Sequence, residues 1–260
     1  MLRSRIIPTL LLHKKGLYKT VGFNISKGKY IGDPINAIKI FNDKGADELV
    51  FIDIDASKED KEPNFSLISL IATECFMPVA YGGGIKNVQQ MKEIYSIGIE
   101  KIILNSVLLY DRSLLREASG LFGSQSVVAA VDVKKNIWGK PKVYDHIRKK
   151  CTKFNPEDYI LSLVESGAGE IYLTSVDREG TFSGYDIELL KSISKNCSVP
   201  LVINGGASSL QDMSDAILIG GASGVSASSM FVFKGIHKAV LITYPDYKDL
   251  EQIVGSNGGK

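Results

Sequence analysis

A phrase that returns 122 positions later constrains this chain more than any other feature. Asp47-Glu-Leu-Val-Phe-Ile-Asp-Ile-Asp-Ala-Ser57 sets a Glu at the start of an apolar run and an Asp seven residues on. Glu170-Ile-Tyr-Leu-Thr174, followed by Ser175-Val-Asp-Arg-Glu-Gly-Thr181, repeats that spacing with Glu170 and Asp177. At the same offset, Gly83 and Gly84 of Tyr81-Gly-Gly-Gly-Ile85 are answered by Gly205 and Gly206 of Ile203-Asn-Gly-Gly-Ala207, and the helix-closing Gly98 by Gly220. A unit this long is no solenoid repeat. It predicts a single domain spanning 1–260, built from two half-barrels of about 1–122 and 123–245.

Apolar runs bounded by glycine before, and by charge plus glycine after, suit strands buried on both faces, as in a parallel sheet. Ile6–Leu12 reads as strand one, followed by a long polar loop through Lys19 to Gly32 that would act as a lid. Asp33-Pro34 opens a helix and Lys44-Gly45 closes it. Strand two (48–54), a helix capped by Asn64, strand three (79–81), a helix from Asn87 to Gly98, strand four (101–104) and a helix capped by Asp111 follow. Strand five (127–133) leads into a basic stretch, 134–153, where both periods fail; with Trp138, Pro141 and His146 it is expected as a hairpin above the barrel. Helix 155–166, strand 170–174, helix 186–195, strand 201–204, helix 208–218 and strand 224–226 complete eight alternating units. That order predicts an α/β fold, a closed (β/α)8 TIM barrel with functional residues after its strands.

Composition excludes several classes. Charges nearly cancel at +2 and 44% of residues are hydrophobic, so nothing calls for nucleic acid. No segment approaches the roughly 20 apolar residues of a membrane span, and the basic and apolar start of the chain lacks a signal-peptide cleavage site; no membrane partner is expected. Cys75, Cys151 and Cys197 lack zinc or redox spacing and read as unpaired thiols in a cytoplasmic protein, with no metal and no cofactor expected.

Gly82-Gly-Gly84 and Gly205-Gly206 remove side chains where backbone amides approach an anion, and Ser226-Ala-Ser-Ser229 enters the last helix with free amides and hydroxyls. Either motif alone would be only a tight strand-to-helix turn. Two related by the repeat, one after strands seven and eight, point to a phosphorylated small molecule with phosphates at both ends.

Met1-Leu-Arg-Ser-Arg-Ile-Ile7, Asp47–Asp53, Gly82-Gly-Gly-Ile85, Phe122-Gly-Ser-Gln125, Leu173–Thr181, Ser183-Gly-Tyr-Asp186 and Gly205-Gly-Ala207 together resemble the cyclase subunit family of imidazole glycerol phosphate synthase across nearly the whole chain. The resemblance implies a twofold-repeated barrel that docks a glutaminase at its N-terminal face. Ammonia then crosses the core to a bis-phosphorylated intermediate of histidine synthesis. It implies an ammonia gate of Arg5, Glu48, Lys101 and Glu170. The implied phosphate-binding residues are Gly84, Asn105 and Ser106 in one half, and Gly180, Gly205, Gly206, Ser228 and Ser229 in the other. Lys19 matches a lysine of the mobile first loop, and Asp132 matches one of two acid-base aspartates.

The other aspartate falls on Leu11, which cannot transfer a proton. Two function classes remain: the cyclase subunit itself, or a paralogue resembling glycosyl amidation-associated proteins, in which the barrel carries ammonia from a glutaminase to a sugar amidotransferase. Met1–Leu12 and Asp33-Pro-Ile-Asn-Ala-Ile-Lys-Ile-Phe41 favour the paralogue branch. A scaffold without ammonia traffic is a weaker third reading, because charges at buried strand starts are costly unless paired or useful.

Overall fold

The computed structural model describes residues 4–246 and 248–249. Met1, Leu2 and Arg3, the opening of the first motif, lie outside the described residues. The chain runs β1 (Arg5–His13), β2 (Gly16–Val21), β3 (Asn24–Gly32), α1 (Pro34–Lys44), β4 (Leu49–Asp53), α2 (Phe65–Glu74), β5 (Val79–Gly82), α3 (Val88–Ile97) and β6 (Lys101–Leu104). It continues through α4 (Ser113–Phe122), β7 (Val127–Lys135), β8 (Pro141–Asp145), β9 (Lys150–Cys151), α5 (Pro156–Glu165), β10 (Glu170–Ser175), α6 (Ile187–Ser194), β11 (Leu201–Asn204), α7 (Leu210–Leu218), β12 (Gly224–Ala227), α8 (Ser229–Val232), β13 (Phe233–Lys234) and β14 (Ala239–Val240).

Eight strands pair in parallel in the order β1-β4-β5-β6-β7-β10-β11-β12, and β12 closes onto β1. This is the expected (β/α)8 barrel, with every barrel strand paired on both sides and no open edge between them. Side-chain alternation divides the strands' apolar residues into two layers. Ile6, Leu10, Leu49, Phe51, Val127 and Ala129 join the large cluster under the helices, while their neighbours Ile7, Val50, Ala80, Ile103, Val128, Ala130, Tyr172 and Val202 fill the barrel interior.

The helix signals act locally. Asp33 accepts from the amides of Ile35 and Asn36 at 2.9 and 3.1 Å, and Gly45, at φ 65°, ends α1. Asn64, Asn87 and Asn155 cap α2, α3 and α5 through their side chains. Asp111 sits one residue early: it accepts from Ser113 N, but Arg112 holds the cap position of α4. Gly98 closes α3 at φ 110°, whereas α7 ends before Gly220 and the left-handed glycine there is Gly221, at φ 78°. The spacing therefore slips by one residue at that helix end.

The reading of the stretch after strand one is corrected. The supposed polar loop after strand one is an antiparallel hairpin, β2–β3, whose first strand pairs with the end of β1, setting Leu11 opposite Tyr18. Its two-residue turn, Gly22-Phe23, has positive φ at both positions, the geometry that matches strand twist. The last helix, α8, is a single turn of four residues that begins at Ser229. The basic stretch 134–153 is the expected hairpin, formed by the end of β7 with β8 and β9. Among the described residues no helix is long and apolar enough to cross a membrane, and no group of three or more His, Cys, Asp or Glu is placed to hold a metal ion.

Candidate functional site

The N-terminal end of the barrel axis is occupied by charge. Arg5 opens β1, Glu48 precedes β4, Lys101 opens β6 and Glu170 opens β10, so four spaced strands each deliver one charged side chain. Cations and anions alternate. Arg5 Nη2 donates to Glu170 Oε2 at 2.7 Å and Nη1 contacts Glu48, while Lys101 Nζ lies 3.0 Å from Glu48 Oε2 and 3.2 Å from Glu170 Oε2. The glutamate side chains are only 4% and 8% exposed, and both cations reach each of them. Burial opposes the charge on Arg5, but Glu170 and Glu48 outweigh it and hold the guanidinium above its ordinary value.

Above this ring comes the apolar interior layer, and then three buried hydroxyls. Thr9 Oγ1, Tyr172 Oη and Ser226 Oγ form a closed triangle with sides of 2.6, 2.6 and 2.7 Å. Each hydroxyl can give one hydrogen bond and receive one, so the triangle satisfies itself without solvent. No motif pointed to it, because its members come from β1, β10 and β12.

At the C-terminal mouth, Leu11 and Asp132 stand on β1 and β7, diametrically opposed in the strand order. The buried Asp132 Oδ2 accepts from Asn105 Nδ2 at 2.8 Å and faces His146 Nδ1 at 3.3 Å, and His146 Nε2 in turn meets Ser106 Oγ at 3.2 Å. His146 comes from the basic hairpin, and its ring stands edge-on to Phe23 of the β2–β3 turn. Its sequence position drew attention without suggesting this contact, since Asp132 and Ser106 are distant in the chain.

Lys19, expected on a mobile loop, is instead buried on β2 against Glu179. Burial pulls its ammonium down to about 7, and the Glu179 carboxylate is in contact with it. Glu179 also accepts from Thr20 Oγ1 and Phe23 N, each at 3.3 Å, and its carbonyl accepts from Gly22 N at 3.0 Å. One residue of the loop after β10 thus ties down the hairpin turn, a role that its place in the Ser175–Thr181 phrase did not reveal.

The two glycine turns differ. Gly84 N donates to Ser57 Oγ at 3.2 Å, and a Cβ on Gly84 would meet Lys61 O at 2.8 Å, so the loop after β4 lies on this turn. Gly180, Gly205, Gly206, Ser228 and Ser229 instead line one pocket with Leu11, Lys19, Phe23 and Phe182. It is a small hollow, open in part to solvent at the mouth. Ser228 Oγ and Ser229 Oγ are buried there without a partner among the described residues.

A family model described as histidine biosynthesis protein matches residues 5–237. A Leptospira interrogans protein provisionally named imidazole glycerol phosphate synthase subunit HisF is 49% identical over 254 residues, covering 97% of this chain and 99% of that protein. A Pseudomonas aeruginosa protein provisionally named subunit hisF2 is 47% identical over 251 residues, covering 96% and 99%. The imidazole glycerol phosphate synthase subunit HisF of Alkaliphilus metalliredigens is 39% identical over 236 residues, covering 91% and 93%. With a barrel of this topology and a family match over most of its length, the chain belongs to the histidine biosynthesis protein family, as one of its HisF-like barrels.

Proposed function

We propose that this barrel receives ammonia from a glutaminase docked at its N-terminal face and passes it on for amidation in bacterial surface-sugar biosynthesis, as a paralogue of the cyclase subunit. The observation that carries this reading is the pairing of a complete ring with an incomplete mouth. Arg5, Glu48, Lys101 and Glu170 form all the contacts that a closable inlet needs, while Asp132 faces an apolar Leu11 across the barrel. Imidazole ring closure needs proton transfers on both sides of the substrate, and a positioned acid-base group contributes about 10²–10⁴-fold. His146 supports Asp132 on its own side and does not restore a group at Leu11. The exposed Phe76, Leu121, Leu218 and Ile219, at or just before the turns that lead into strand starts, supply apolar surface around the ring for a glutaminase. The common 122-residue spacing of β1 with β7 and of β5 with β11 supports an origin in two half-barrels.

The alternative is the cyclase of histidine biosynthesis. Purified protein with the bis-phosphorylated ribulosyl intermediate and excess ammonium should cyclise at least 10²-fold more slowly than an ordinary cyclase subunit, with Leu11→Asp recovering part of the rate. Wild-type turnover at the ordinary rate would return the chain to histidine synthesis. Co-elution with the cognate glutaminase, or stimulation of its turnover, checks the docking; absence of both would remove the conduit.

A further inference from the structure

The hairpin over the mouth carries charge that the protein does not neutralise. Eight of the twenty residues from Lys134 to Lys153 are Lys or Arg and one, Asp145, is acidic, in a chain whose net charge is only +2. Asp145 is 3% exposed and engaged internally, accepting from Tyr110 Oη at 2.7 Å, Ile147 N at 3.0 Å and Arg148 N at 2.9 Å. Arg148 lies 3.8 Å from it, and no lysine of the hairpin pairs with a carboxylate among the described residues. The cations reach from the tip, at Lys135 and Lys140, to the rim of the mouth, where the turn after β8 brings His146 to Asp132 and Arg148, Lys149 and Lys150 follow. Lys58, on the loop after β4, stands near them: burial lowers its ammonium below the ordinary value, Asp55 opposes this, and Lys149 adds to it.

The apolar tip of the hairpin is exposed and held in place. Ile137 and Trp138 are 89% and 77% exposed, and Asn136 fixes the turn: its Oδ1 accepts from Trp138 N and Lys140 N, each at 3.0 Å, and its N donates to Lys140 O at 2.9 Å. Beside the hairpin, Leu109, Tyr110, Arg148, Lys150 and Phe154 line a groove against the turn that follows β6. Preordered aromatic and arginine side chains set among cations are the materials of an interface with a charged protein. We propose that this hairpin docks an acidic protein surface, that of the enzyme consuming the ammonia released at the mouth, with Trp138 as its apolar anchor. The proposal rests on the conduit reading of the proposed function and adds where the acceptor sits. A protruding protein segment fills the groove, whereas a flat lipid surface does not, and the unneutralised lysines steer an acidic partner over the outlet.

Binding of the purified cognate sugar amidotransferase to the full chain, followed by biolayer interferometry, tests this. Lys140→Glu/Lys150→Glu/Lys153→Glu, at three exposed positions, should weaken it by about tenfold or more, mainly through slower association, while Lys140→Arg/Lys150→Arg/Lys153→Arg should bind as the native chain does. Trp138→Ala should weaken it by about tenfold or more through faster dissociation. Raising salt from about 0.05 to about 0.5 M should weaken native binding by a similar factor. Unchanged binding of the Glu variant, or no binding of the acceptor to the native chain, would overturn the proposal. So would capture of the native chain by phosphatidylglycerol vesicles through the same residues and not by the acceptor, or a native dimer that the Glu variant abolishes, since a membrane or a second copy would then cover the hairpin. Circular dichroism shows whether each variant is folded. Glutaminase co-elution that persists while the acceptor ignores the hairpin removes only the docking site; loss of glutaminase binding by the native chain removes the conduit.

Discussion

Replacing Glu48 by Gln removes one charge from the ring while keeping its shape, and the geometry sets the scale of the loss. In the native ring Arg5 and Lys101 share two carboxylates; in the variant both lean on Glu170 alone, leaving one positive charge uncompensated where the glutamates are 4% and 8% exposed. Breaking a buried ion pair by removing one partner costs about 3–5 kcal/mol. Arg5 and Lys101 keep 27% and 18% of their side-chain surface, so water recovers part of that, and about 2–4 kcal/mol is expected. At about 2–4 °C per kcal/mol for a chain of this size, the melting temperature should fall by roughly 5–15 °C. Urea unfolding of Glu48→Gln, Lys101→Met and the double variant closes a cycle. The double variant retains the direct Arg5–Glu170 contact and removes one charge of each sign, so it should be more stable than additivity predicts by about 1–3 kcal/mol. High salt should rescue Glu48→Gln only weakly, because the site is screened by protein before it is screened by ions. A loss below about 0.5 kcal/mol, or strict additivity in the cycle, would refute the view that these four charges act as one ring.

Three further outcomes follow from the packing. Glu179→Ala should release the β2–β3 turn, seen as faster amide exchange at Gly22 and Phe23. In the native chain burial lowers the Lys19 ammonium to about 7, so between there and the ordinary lysine value the unfolded chain binds the extra proton; stability should rise with pH over that window and be lowest below it. Flat pH behaviour would contradict the burial of Lys19. Tyr172→Phe should cost about 1 kcal/mol, because one corner of the hydroxyl triangle is lost while the Thr9–Ser226 bond at 2.6 Å survives; a cost near zero would mean that the triangle is not formed in solution. Trp138, the chain's single tryptophan, is 77% exposed at the hairpin tip, so its emission should already be that of a solvated indole and shift little on unfolding; a blue-shifted native spectrum would contradict that exposure.

The barrel was legible from the chain because its determinants are local and repeated. Apolar runs such as Lys101–Leu104 and Leu201–Asn204 end where the strands end, and Asp33, Asn64, Asn87 and Asn155 announce helices through bonds that span two or three residues. The β2–β3 hairpin was missed for the same reason in reverse. Its outer strand is mostly exposed and polar, so it carries no burial pattern, and only pairing with the end of β1 makes the stretch a sheet. The strand starts and strand ends that hold Arg5, Glu48, Lys101, Glu170, Leu11 and Asp132 could be named from sequence, since closing a parallel barrel brings all starts to one end and all ends to the other. Which groups touch there could not. His146 reaching Asp132, Glu179 holding Lys19, the Thr9–Tyr172–Ser226 triangle, and the contrast between a bonded Ser106 and the unpartnered Ser228 and Ser229 were decided only by tertiary structure. A side-chain hydrogen bond depends on separations of a few tenths of an ångström between residues brought together by closure of the whole barrel, and no period or spacing along the chain encodes those separations.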